Sequence, residues 1–142
     1  MAHVLLDRKE IRSILPHREP FLFVDEIREI EPGKRILGEL HVQPKDLFLI
    51  RDGALYLPPT ILAEAMAQVG AILVLYPEDN RGRTIYFRAI EQAEFTRRVE
   101  SGEVVIVEAN VRKMRARFGS LDVTAKVNGE VAASAVMSFA LG

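Results

Sequence analysis

At 142 residues, 49% apolar and 27% charged, the chain has the profile of one soluble globular domain large enough to bury a core of its own. A net charge of −1 gives no general electrostatic reason to expect nucleic acid or an anionic membrane as partner, and the absence of cysteine excludes disulfides, thiolate metal sites and cysteine nucleophiles. The first ten residues mix Asp7, Arg8, Lys9 and Glu10 with a short apolar run, unlike a signal peptide, so a cytoplasmic protein is expected.

In chain order, Asp7 to Leu15 carries Ile11, Ile14 and Leu15 at helical spacing and is stopped by Pro16. Phe21 to Ile30, aromatic and β-branched, reads as a strand, and Pro32-Gly33 as a turn. Ile36, Gly38, Leu40 and Val42 alternate with polar residues, predicting a half-buried strand that ends near Pro44. Gln43 to Pro59 shows no sustained period. A helix follows to about Tyr76, ended by Pro77, with either Thr60 as its N-cap or Pro59 in its first turn.

That helix is apolar on nearly every side, as a helix surrounded by protein should be. Ile61 to Tyr76 is too short for a bilayer core, which needs about 20 apolar residues, and it carries Glu64 and Gln68. Arg83 to Gln92 and Ala93 to Val99 read as two strands or one bent strand, with a turn at Ser101-Gly102. Val105 to Val111 and Leu121 to Val127 alternate, and Asn128-Gly129 matches a type I′ hairpin leading to Val131–Phe139. The expectation is a single α+β domain over residues 1–142, its antiparallel sheet wrapped around the long central helix.

Three segments then carry a resemblance. Ile14-Leu15-Pro16-His17-Arg18-Glu19-Pro20-Phe21-Leu22-Phe23-Val24-Asp25 resembles the opening "LPHRxPFLLVD" signature of the FabZ-type 3-hydroxyacyl-[acyl carrier protein] dehydratases. Pro32-Gly33-Lys34 follows at that family's spacing, and Glu64-Ala65-Met66-Ala67-Gln68 matches the start of its central-helix motif. Segments 93–99 and 127–132 fit as well, so the resemblance covers nearly the whole chain.

It implies a hotdog fold, no cofactor or metal, and at least a dimer whose strands pair across subunits. It also implies an acyl chain, carried as an acyl carrier protein or CoA thioester, threaded along the central helix between protomers. In that family a loop histidine in a "GHFPG" motif removes the α-proton, and a helix carboxylate from the neighbouring subunit helps the hydroxyl leave. Glu64 occupies the carboxylate position and Gln68, one turn on, shares its face. Gln68, Pro59 and Thr60 are the substrate-binding candidates.

The histidine is missing. Alignment back from Glu64 puts Ile50 at its position, alignment forward from Val42 puts Asp52 there, and no histidine lies between. The family's "PG" before the helix becomes Pro58-Pro59, removing a backbone N–H that would face the thioester carbonyl. One oxyanion donor is worth about 100- to 1000-fold in rate and a general base roughly 100- to 10,000-fold. If nothing replaces them, dehydration should be very slow. Asp52 is the nearest substitute base, though as a turn residue beside Gly53 it reads first as solvated; His41 on the preceding strand is a weaker candidate. His17-Arg18 reads as an element that holds loop and interface, and Arg112, Lys113, Arg115 and Arg117 as a solvated cluster or a docking site for an acidic carrier.

Three functions remain open: a dehydratase, intact or weakened; a hotdog thioesterase with Glu64 as base or nucleophile; and a non-catalytic acyl-binding or hetero-oligomer subunit that takes its histidine from a catalytic partner.

Overall fold

The computed structural model of the chain describes residues 5–142, so His3 lies outside the described residues. Helix α1 (Arg8–Ile14) begins in a capping box: Asp7 accepts from the Glu10 amide and the Glu10 carboxylate accepts from the Asp7 amide. Strands β1 (Glu26–Glu31) and β2 (Arg35–His41) form a hairpin around Pro32-Gly33. A short helix α2 (Pro44–Leu47) precedes the loop to the central helix α3 (Pro59–Leu75). One 3-10 turn later come β3 (Ile85–Phe95), β4 (Val104–Arg115), β5 (Phe118–Val127) and β6 (Glu130–Leu141). All six strands join one antiparallel sheet in the order β1-β2-β4-β5-β6-β3.

The sheet curves around α3, and every residue from Ala65 to Leu75 is buried. Two glycines let helix and sheet approach: a Cβ on Gly38 would stand 2.9 Å from Val69, and one on Gly70 2.8 Å from Leu121. The even positions of β2 therefore face the helix, while Leu37, Glu39 and His41 point to the outer face.

Four readings of the sequence are refined. Phe21–Asp25 is not strand: Leu22, Phe23 and Val24 are buried without ladder partners, and pairing begins with the Asp25 amide donating to Glu39 O at 2.8 Å. Pro59, not Thr60, opens α3, and Pro58 holds the N-cap position. Residues 43–59 contain α2, started by Pro44 and by Asp46 accepting from the Gln43 amide at 2.9 Å. The bent-strand alternative holds for β3 from Ile85 to Phe95, with an irregularity at Gln92, where φ is +51°, while residues 83–84 and 96–99 are not strand. Asn128 and Gly129 have φ of +51° and +80°, as a type I′ turn requires.

The two sheet edges differ. β1 is short and carries Glu26, Arg28, Glu29 and Glu31, side chains that discourage further pairing. β3 is 11 residues long, its outer edge bears no strand among the described residues, and Tyr86, Ile90 and Phe95 are exposed along it.

Candidate functional site

Glu64 stands where α3 emerges from the sheet. It is the sole ionisable residue of that 17-residue helix, and its side chain is 43% exposed, so the single chain leaves it half open rather than enclosed. The ring that faces it is His17, whose Nε2 lies 3.8 Å from Glu64 Oε1. That separation is too long for a hydrogen bond and short enough for a small movement to make one.

The segment that carries His17 is fixed by two side chains. Arg18 donates to the carbonyls of Leu15 and His17 at 2.9 and 2.7 Å, and to Arg12 O at 3.2 Å. Gln68, buried one turn after Glu64, accepts from the Phe23 amide at 2.9 Å and donates to Phe21 O at 2.7 Å. Both ends of its amide thus serve the backbone in place of a strand ladder. The support that Gln68 gives the 21–23 backbone agrees with its place on the face of α3 shared with Glu64.

A cavity of about 650 Å³ opens beside the start of α3. Its walls are the loop from Ala54 to Pro59, Leu62, and the segment Phe95–Val99. Arg98 stacks over Tyr56 at 4.5 Å from the ring centre. Arg97 makes a bidentate pair with Glu103, which holds the Glu103 carboxyl below the usual range; the Arg97 side chain and the Glu100 amide are the main causes. Pro58 and Pro59 line this cavity, but Glu64 does not. Two helix positions are about 200° of rotation, so Leu62 and Glu64 lie on different faces of α3. One chain brings together the proline entrance and a chamber lined by apolar side chains with Arg51, Arg97 and Arg98, and displays its carboxylate elsewhere.

With no N–H on Pro59, the Ile61 and Leu62 amides both donate to Pro58 O, at 2.9 and 3.1 Å. The Thr60 amide has no protein acceptor among the described residues and is the free donor of the first turn. Ile50 and Asp52 sit exposed on the 48–56 loop, Asp52 on a turn with Gly53 at φ +76°.

His41 is exposed on the outer face of β2 and pairs with Glu39 at 3.1 Å, far from the α3 face. Glu26, Glu39 and His41 bring three ligand-type atoms within 4.8 Å of one another, but Arg28 already pairs with the buried Glu39 at 2.7 Å. The Glu26 carboxyl is held above the usual carboxylate range, chiefly by the hydrogen bond it shares with Glu39. The basic cluster is solvated at the β4–β5 turn, where Arg112 approaches Asp122 at 3.6 Å. Among the described residues no helix is long and apolar enough to cross a membrane.

Sequence reasoning missed the approach of His17 to Glu64, because 47 residues separate them and no periodicity links a loop to a helix across that gap.

Comparison with known proteins adds three findings. A family model of the FabA-like domain matches residues 15–136. The chain is 39% identical over 140 residues to the 3-hydroxyacyl-[acyl-carrier-protein] dehydratase FabZ of Bacillus velezensis, covering 97% of this chain and 99% of that one. Identity to the FabZ of Geobacillus thermodenitrificans is also 39%, with 97% of each chain covered. Among solved structures, a chain of the dehydratase heterocomplex ApeI:P from Xenorhabdus doucetiae superposes with a TM-score of 0.80 at 15% identity, covering 93% of this chain and 90% of that one. A hypothetical thioesterase with coenzyme A from Streptococcus pneumoniae superposes at 0.66 and 11% identity, covering 82% and 84%. These last two show the shared fold.

Proposed function

The chain belongs to the family of FabZ-type 3-hydroxyacyl-[acyl carrier protein] dehydratases, and from that premise we propose that it binds a 3-hydroxyacyl thioester and eliminates water from it through Glu64. The observation that carries this reading is the lone carboxylate at the mouth of an otherwise apolar, buried helix. A charge is retained on such a helix when it has a partner or a task.

With no loop histidine, Glu64 has to perform both proton transfers. Its carboxylate takes the proton from C2, and the bonding pair moves to the thioester carbonyl as an enolate. The Thr60 amide, free at the start of α3, donates to that oxygen in place of the N–H lost at Pro59. The enolate then collapses to the C2=C3 double bond. The C3–O bond breaks, and the departing oxygen takes the proton back from Glu64 and leaves as water. One group doing the work of two gives a slower enzyme than a histidine-bearing relative, by up to the roughly 100- to 10,000-fold worth of a general base.

The division of cavity and carboxylate between two faces of α3 supports a site built from two protomers, the cavity of one receiving Glu64 of the other. The long, unpaired β3 edge is the surface through which a second chain would extend the sheet. A carrier-protein or CoA thioester as substrate implies a cytoplasmic protein.

The test is turnover of 3-hydroxyacyl and 2-enoyl thioesters, on both CoA and a carrier protein, followed through the enoyl thioester absorbance. Glu64→Gln should lower kcat at least 100-fold. Equal turnover in that variant would sink the assignment. Release of free thiol, lost in Glu64→Ala, would move the reading to a thioesterase.

A second reading is favoured by the same split geometry and by the similarity to a chain of a dehydratase heterocomplex. Paired with a relative that has the loop histidine, this chain would lend Glu64 to a complete site and leave the other site of the pair without a loop histidine. Co-purification of a histidine-bearing homologue with the tagged chain, and turnover of the pair above that of either alone, would support it.

A further inference from the structure

We propose that His17 is the positioning residue for Glu64, holding a proton on Nε2 and donating it as a hydrogen bond to the carboxylate when substrate is bound. The inference deepens the dehydratase reading and rests on it for its kinetic consequence, but its structural content stands apart.

The ring of His17 is fixed by its surroundings. Nδ1 is buried with no hydrogen-bond partner among the described residues, while Nε2 faces Glu64 Oε1 at 3.8 Å. A neutral imidazole carries one N–H and one lone pair. An N–H at Nδ1 would be a buried donor without an acceptor, the costlier of the two arrangements. The proton therefore belongs on Nε2, aimed at the carboxylate, and this tautomer makes His17 a donor to Glu64 rather than a second base. The present separation is that of an unoccupied site, and such contacts commonly tighten to hydrogen-bond length when substrate is bound.

The support of this contact is continuous with α3. Gln68, on the face of α3 that presents Glu64, holds the backbone at Phe21 and Phe23, and Arg18 holds the carbonyls on either side of the histidine. Helix and loop are tied twice within one turn of the pair, which sets the imidazole against the carboxylate. The other charges nearby are committed elsewhere. Arg18 serves three carbonyls, Glu19 pairs with Arg8 and Arg12, and α3 has no ionisable group besides Glu64.

Two variants separate positioning from folding. His17→Gln keeps a terminal N–H donor, whereas His17→Leu keeps bulk and removes it. Expected for Leu is a fall in kcat of roughly 10- to 150-fold, the span that a hydrogen bond to a charged group carries, with KM changed less than about twofold. Gln should recover most of the loss. Equal kcat in wild type and His17→Leu, or a change confined to KM, overturns the proposal and leaves the Glu64 assignment in place.

The second measurement needs no turnover. Nitrogen-15 spectra of the histidine rings, taken with a non-reactive acyl-pantetheine analogue, should show His17 as the Nε2–H tautomer with a downfield proton that moves in Glu64→Gln. That result in a protein without dehydration would uphold the contact and remove the dehydratase reading. An Nδ1–H tautomer would overturn the proposal outright.

Discussion

Replacing Gln68 with leucine tests whether a side chain can stand in for a missing strand partner. The amide accepts from the Phe23 N–H and donates to Phe21 O, at 2.9 and 2.7 Å. Leucine is close to it in volume, so the effect is mainly the loss of these two bonds. Phe23 is 2% exposed, and its N–H would be left dry and unpaired, at about 1–3 kcal/mol. Phe21 is 60% exposed, and its carbonyl can turn to water at little cost. The sum is about 1–3 kcal/mol, or a fall in Tm of about 3–12 °C for a chain of this length. Urea titration followed by circular dichroism, at one fixed protomer concentration, measures it with the m-value expected to stay constant. A loss below about 0.5 kcal/mol would refute the reasoning, since the anchored segment would then be holding itself.

Two further changes probe the sheet. In Gly119→Ala the new methyl would meet Lys113 O at 2.7 Å and the Phe139 ring at 2.6 Å; because one obstacle is backbone, a loss of about 1–3 kcal/mol is expected by thermal or urea unfolding. Glu26→Gln should stabilise the protein at neutral pH. Glu26 has a folded-state proton affinity raised by Glu39, so its favourable contribution is present below the unfolded carboxylate pKa and is lost as pH rises through the folded value. Glutamine keeps the donor and removes the like charge. The gain in Tm should therefore be largest near neutrality and vanish below about pH 4, and a gain that persists in acid would contradict the shared-proton account.

What the sequence made legible follows from local rules. Asn128-Gly129, Pro59 and the alternation in β4 to β6 each act through a few neighbouring residues, and each appears where the sequence places it. Phe21–Asp25 misleads because its residues are as apolar as a strand's, while its backbone is satisfied by Gln68 from 45 residues away. Helix α2 escaped because four residues give no period; its signal was Pro44 followed by Asp46. Glu64 and its place on the central helix were readable from the motif. The half-open state of its side chain, and the histidine beside it, depend on how a loop lies over a helix end, which no short pattern encodes.

The bare margin of β3 has a consequence for any cell that makes more than one protein of this shape. Main-chain groups are identical in every polypeptide, so such a margin welcomes a twin and a cousin alike. Discrimination then falls to Tyr86, Ile90 and Phe95, the side chains standing along it. In the pairing proposed above, these apolar side chains act together with Arg88, Glu91 and Glu94, exposed on the same strand, and their exchange would alter which chain the edge accepts.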